Sequence, residues 1–145
     1  MNASTGVILT GGDFQGLAAL RALAARNIPV VLLDHDLCIS RWSRYTHRFF
    51  RAPAPSDHEA YRQFLLDVAE RENLQNWMII PNSDEIVYAL SRNREALQKV
   101  YRVPTPAWSV IEKIHIKKNS YQLAEKLGLD IPRSYFPADL DELMQ

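Results

Sequence analysis

The residues with chemistry to offer fall in four short stretches. Gly11, Gly12, Asp13, Phe14, Gln15 and Gly16 follow the apolar run Val7-Ile8-Leu9 and its closing Thr10, a pattern that predicts a buried strand, a glycine turn and the start of a helix. A helix start presents free N–H groups, so this turn is the first place to expect an anionic group to dock. Gly11 and Gly16 match the outer glycines of G-x-G-x-x-G, and Asp34 closes the next apolar run about where a ribose-binding acid belongs. The middle glycine is replaced by Asp13, whose carboxylate would repel a pyrophosphate. Three readings stay open on these residues: a dinucleotide site, a small-anion site, or glycines that serve the turn alone.

Asn82, Ser83, Asp84 and Glu85 follow a later apolar run, and the carboxyl ends of parallel strands are where such sheets place ligands. Asn82 with Glu85 also has the spacing of a capping box. Ser40, Arg41 and Arg44 lie in a basic loop, and guanidinium forks grip carboxylates and phosphates, so a cationic wall at the same mouth is expected. Other chemistries find less. No Gly-Lys-Ser or Gly-Lys-Thr marks a P-loop, no Gly-x-Ser-x-Gly marks a nucleophile elbow, and the four histidines are scattered, so no metal site is expected. The single cysteine, Cys38, reads as a buried, inert thiol.

Positioning these stretches requires an alternation of strands and helices. After the first strand, Phe14, Leu17, Leu20, Leu23 and Ala24 recur at helical spacing, and Asn27 with Pro29 ends that helix before Val30 to Asp34 forms a second strand. Strand, helix, strand at this spacing is a βαβ unit, so the sheet is expected to be parallel. A third strand is expected near His47 to Arg51. Ser56 to Glu59 has capping-box spacing before a helix whose apolar face is Tyr61, Phe64, Leu65, Val68 and Ala69. Trp77 to Ile80, stopped by Pro81, predicts a fourth strand, Ile86, Val87 and Leu90 the buried face of the next helix, and Val100 to Val103 a fifth strand. Beyond Pro104-Thr105-Pro106, short helices are expected over Trp108 to Ile114, then one capped by Asn119 and stopped by Gly128, then one capped by Asp139. The expected fold is α/β, a Rossmann-like three-layer domain with a parallel sheet of four or five strands ordered 3-2-1-4-5. Residues 1–105 would form it, and 106–145 would be connecting helices.

Composition fits this picture. The 145 residues are 47% hydrophobic and 23% charged, with 17 basic against 17 acidic side chains, which lacks the basic excess of a nucleic-acid binder. A chain of that length hides roughly 68–70% of its unfolded surface, enough for a core without disulfides. No membrane segment or signal peptide is read, and one cysteine suits a reducing compartment, so a cytoplasmic location is expected.

The order of signals resembles a family: the N-terminal, pre-ATP-grasp domain of ATP-grasp carboxylate–amine ligases, particularly D-aspartate-ligase-like and carbamoyl-phosphate-synthase-like members. The resemblance rests on the first strand and glycine turn, Asp34, the run Ser40 to Tyr45, Pro81 to Glu85, and Lys117 followed by Tyr121 to Pro132. It implies a reaction in which ATP phosphorylates a carboxylate and an amine displaces phosphate to form an amide, helped by magnesium. It implies that a crevice of Gly11, Gly12, Asp13, Gln15, Gly16, Asp34, Ser40, Arg41, Arg44, Asn82, Ser83, Asp84 and Glu85 holds a small carboxylate or amine. Lys117 would match the lysine that reaches the nucleotide phosphates, although Ile116 stands where the family commonly has an aspartate. ATP and Mg2+ would belong to a longer parent enzyme, neither binding tightly to these residues, which would be inactive alone. Trp108, Ile111, Ile114 and Tyr121 would present an apolar face for self-association. An oxidoreductase fragment binding NAD(P) or FAD, or a stand-alone anion-binding regulatory domain, are the alternatives.

Overall fold

The computed structural model describes residues 5–137 and 140–143. The chain forms two compact units, Met1–Trp108 and Ser109–Gln145.

The first unit is a parallel sheet covered on both faces. Its strands are β1 (Val7–Thr10), β2 (Val30–Asp34), β3 (Arg48–Arg51) and β4 (Met78–Pro81), in the order β3-β2-β1-β4. Three parallel ladders join them, and Val7 pairs with Val30 on one side and Met78 on the other. The helices are α1 (Phe14–Ala24), α2 (His58–Arg71), α3 (Asp84–Arg92) and the short α4 (Arg94–Leu97), with a 3-10 turn at Ile39–Trp42. Successive strand side chains point to opposite faces. Ile8, Val31, Leu33 and Ile79 therefore meet Tyr61, Leu65, Val68, Leu90 and Leu97 on one face, while Leu9, Val30 and Leu32 meet Leu20 and Cys38 on the other. That two-sided burial is why β1 and β2 read as unbroken apolar runs.

The expected fifth strand contracts to a single parallel bridge between Met78 and Arg102, supported by Ile79 N–H on the Arg102 carbonyl at 3.0 Å. Pro104 and Pro106 follow at once and have no N–H to extend a ladder. Phe14 does not join the apolar face of α1: it is 81% exposed, as the first residue of the helix. Asp57, not Ser56, caps α2 by accepting the Ala60 N–H at 3.1 Å.

In the second unit α5 (Trp108–His115) starts at the boundary residue, α6 spans Lys117–Lys126 and α7 spans Leu140–Leu143. Asn119 is not the cap of α6. It lies inside the helix and donates to the Glu112 carbonyl at 3.2 Å, and Ile116 occupies the N-cap position without a side-chain bond. Gly128 ends α6 at φ +69°, where a left-handed residue lets the Leu129 N–H return to the Ala124 carbonyl at 3.0 Å. The cap expected at Asp139 lies outside the described residues.

Candidate functional site

The strand order reverses between β1 and β4, so the turns after these strands flank the switch point of the sheet. Gly11, at φ +92°, adopts a backbone conformation that side-chain-bearing residues rarely take. A Cβ on Gly11 would stand 3.2 Å from the Asn82 Cβ, and one on Gly16 would stand 2.3 Å from the Gly11 carbonyl oxygen and 3.1 Å from Asn82 Nδ2. The glycine turn and the half-buried Asn82 are thus in near contact across the switch point.

Gly12 has a different reason to be glycine. A Cβ there would lie 2.2 Å from Cys38 Sγ, so the missing side chain makes room for a buried thiol and not for a phosphate. Its N–H is also engaged, donating to Asp34 Oδ2 at 2.7 Å. Asp34 is 9% exposed, and its other oxygen accepts the Asp36 N–H at 3.1 Å and lies 3.3 Å from His35 Nδ1. Asp34 therefore braces the turn from inside. An acid so committed has no free oxygen pair for ribose hydroxyls, which counts against the dinucleotide reading.

The remaining expected residues separate into those at the crevice and those elsewhere. Asp13 is exposed at the N-cap position of α1 without a side-chain cap bond, and Gln15 is exposed in the first turn. The Asp13 carboxylate favours the positive end of the helix dipole. Ser83, Asp84 and Glu85 are exposed at the start of α3. Ser83, not Asn82, is the cap, accepting the Ile86 N–H at 3.3 Å, so the Asn82 side chain beside the glycine turn is not spent on capping. Ser40 reaches the turn through its main chain, donating to the Gly12 carbonyl at 3.0 Å, with its hydroxyl fully buried. Both guanidiniums are occupied by rings: Arg41 lies 4.9 Å over Trp42 and 5.4 Å over Phe49, and Arg44 lies 4.9 Å over Tyr45. Lys117 is exposed in the second unit, at the first turn of α6.

Two residues at the site had gone unremarked as functional. Thr10, fully buried at the end of β1, donates its hydroxyl to the Ile80 carbonyl at 2.9 Å. Tyr61 is 2% exposed on α2, with its phenol near Thr10. Burial pushes the Tyr61 phenol well above its ordinary range, the Thr10 contact opposes that, and the negative charges of Asp34 and Glu85 add to it. A tyrosine on an apolar helix face needs a partner for its hydroxyl, and that need was the available signal. The second unit also holds a cleft of about 470 Å³ lined by Tyr121, Glu125, Arg133, Tyr135 and Phe136 among others, and no motif announced it. Among the described residues no cluster of three or more His, Cys, Asp or Glu is arranged to hold a metal ion, and no helix is long and apolar enough to cross a membrane.

The sequence matches no protein-family model, and no curated protein matches it significantly. Solved structures share the fold. An L-amino acid ligase from Bacillus licheniformis matches with a TM-score of 0.66 at 12% identity, over 94% of this chain and 36% of that one. The biotin carboxylase domain of a single-chain bacterial carboxylase matches with a TM-score of 0.63 at 17% identity, over 97% and 33%. That of a thermophilic 2-oxoglutarate carboxylase bound to bicarbonate matches with a TM-score of 0.60 at 16% identity, over 98% and 33%. The chain spans about a third of the length of each. At such identities the likeness is one of fold, and it agrees with the pre-ATP-grasp resemblance drawn from the sequence.

Proposed function

We propose that this chain is the substrate-binding, N-terminal part of an ATP-dependent carboxylate–amine ligase, inactive without the rest of that enzyme. Its ligand is a small carboxylate or amine, taken between the glycine turn and Asn82. The observation that carries the reading is the approach of Asn82 to Gly11 and Gly16 across the switch point. Here an amide able both to donate and to accept stands beside the opening of α1, whose first N–H groups Asp13 does not cap. The fold shared with an L-amino acid ligase supports the class, as does the order of motifs.

ATP with Mg2+ is the energy source that such a reaction needs, and it is assigned to parts of the enzyme outside residues 1–145. No acidic cluster in the described residues suits the metal. Lys117 is the one residue proposed here to reach the nucleotide phosphates. The work of the present residues is binding and orientation, which lowers a barrier by fixing reactants before the chemical step. The balanced charge argues for a small-molecule partner over nucleic acid, and the proposed location is the cytoplasm.

The test is the melting temperature of the chain with L-alanine, D-aspartate, succinate or NADH, in the wild type and in Asn82→Leu. An amino acid or the dicarboxylate should raise it by an amount set by concentration over affinity, and Asn82→Leu should remove the rise. A rise with NADH alone, or no rise with any of the three small molecules, overturns the reading.

A further inference from the structure

We propose that the cleft of the second unit binds an aromatic α-amino acid as its zwitterion, with Arg133 on the carboxylate, Glu125 on the ammonium and the rings of Tyr121, Tyr135 and Phe136 around the side chain. This site is separate from the crevice of the first unit, and it stands or falls independently of the function proposed above.

The cleft exists because of how α6 ends. Gly128, at φ +69°, turns the chain, and the Leu129 N–H returns to the Ala124 carbonyl at 3.0 Å. The segment that follows comes back beside the helix, so that Phe136 meets Tyr121, in the first half of α6, in an edge contact with ring centroids 5.8 Å apart. Helix residues four apart share a face, so Tyr121 and Glu125 stand together on one wall, with Gln122 beside them. Arg133 and Tyr135 come from the returning segment. All of them line one cavity of about 470 Å³, within the roughly 300–1,000 Å³ of small-molecule sites.

The charges select the ligand. Arg133 and Glu125 line the same cavity, yet no ion pair joins them, and among the described residues neither charged group has another partner. A phosphate or a dicarboxylate would be drawn to Arg133 and repelled by Glu125, and a simple amine would meet the reverse. An uncharged ring would leave both charges unanswered. A zwitterion satisfies both at once, because a guanidinium offers a carboxylate two N–H donors and a carboxylate accepts from an ammonium. The rings then decide the side chain. A further ring can join the Tyr121–Phe136 pair edge to face, and Tyr135, 82% exposed, has apolar surface left to bury against it.

The test is a 1H–15N titration of the 145-residue chain with L-phenylalanine. It is repeated with L-alanine, with N-acetyl-L-phenylalanine, which has no ammonium, and with L-phenylalaninamide, which has no carboxylate. L-phenylalanine should move the Tyr121, Tyr135 and Phe136 main-chain signals and the Gln122 side-chain amide saturably, and L-alanine should bind there about tenfold more weakly for want of a ring. Glu125→Gln should weaken L-phenylalanine about tenfold and leave N-acetyl-L-phenylalanine no weaker. Arg133→Gln should weaken L-phenylalanine about tenfold and leave L-phenylalaninamide no weaker. Both side chains are exposed, so neither change threatens the fold. Cleft signals that stay still at millimolar L-phenylalanine, equal affinity for L-alanine, or variants that weaken every ligand alike overturn the proposal. The Gly11 amide reports the other site: its movement bears on the function proposed above, and the cleft signals decide this one.

Discussion

The Asp34 carboxylate accepts the Gly12 N–H at 2.7 Å, so the acid that ends β2 holds the turn that ends β1. This contact makes Asp34 part of the fold's construction at the switch point. Replacing it by alanine strands a buried N–H and removes a charge-assisted bond, so Asp34→Ala should cost about 2 kcal/mol of stability in urea unfolding. An acid poised instead for ligand alone would leave stability unchanged on removal.

Gly12 and Cys38 should show strong coupling. Gly12→Ala forces a Cβ to within 2.2 Å of the thiol, an overpacking that should cost about 1–3 kcal/mol. Cys38→Ala removes the obstructing sulfur, so the double variant should be more stable than the two single losses summed, which a double-mutant cycle in urea will read. Gly16→Ala meets the main-chain oxygen of Gly11 at 2.3 Å, and Cys38→Ala should give it no relief.

How much of this was legible in the sequence depended on range. The β1–α1–β2 unit could be read because Val7 to Leu9 and Val30 to Leu33 are apolar without interruption, the mark of strands buried on both sides. The caps were displaced by one residue, from Ser56 to Asp57 and from Asn82 to Ser83, because adjacent polar residues compete for a position that only the entering backbone angle decides. Phe14 fell on the helical stripe but is exposed at the first position of the helix, which periodicity alone does not reveal. The approach of the two turns was legible, since parallel strands bring their carboxyl ends together. Their inner wiring was not, because Asp34 to Gly12, Thr10 to Ile80 and the seating of Arg41 over Phe49 are contacts across sequence gaps that carry no periodic signal.

Alkaline pH should loosen the fold in two stages. Burial raises the Cys38 thiol, opposed by the Arg41 main-chain contact and reinforced by the nearby Asp34 charge. Burial likewise raises the Tyr61 and Tyr101 phenols, and Tyr101 donates to the Leu65 carbonyl at 2.5 Å. A group raised in the folded state gives its full contribution below its unfolded pKa and loses it as pH climbs to the folded one. The unfolded values lie near about 8.5 for the thiol and about 10 for the phenols. The melting temperature should therefore begin to fall above about pH 8.5, and Cys38→Ala should flatten that first decline. Part of the tyrosinate absorbance should appear only with unfolding, and Tyr61→Phe or Tyr101→Phe should reduce that part.

Acid should act at the opposite end of the sheet. The Arg71 guanidinium, 3.0 Å from Glu72 at its Nε, holds the Glu72 carboxyl below the usual carboxylate range, and Arg48 adds a second ion pair from the start of the edge strand β3. A depressed carboxyl contributes stability above its unfolded pKa, about 4.3 for glutamate, and loses it as pH falls through the folded value. Glu72→Gln keeps the shape and removes the charge. The wild type should thus melt above Glu72→Gln at neutral pH, with the gap closing as pH drops below about 4. Salt should narrow the same gap at neutral pH, because these partners sit at the surface where ions screen them. A gap that persists in acid and in salt would mean that Glu72 acts through packing against Leu74 and Trp77, with which it lines a small pocket, and not through its charge.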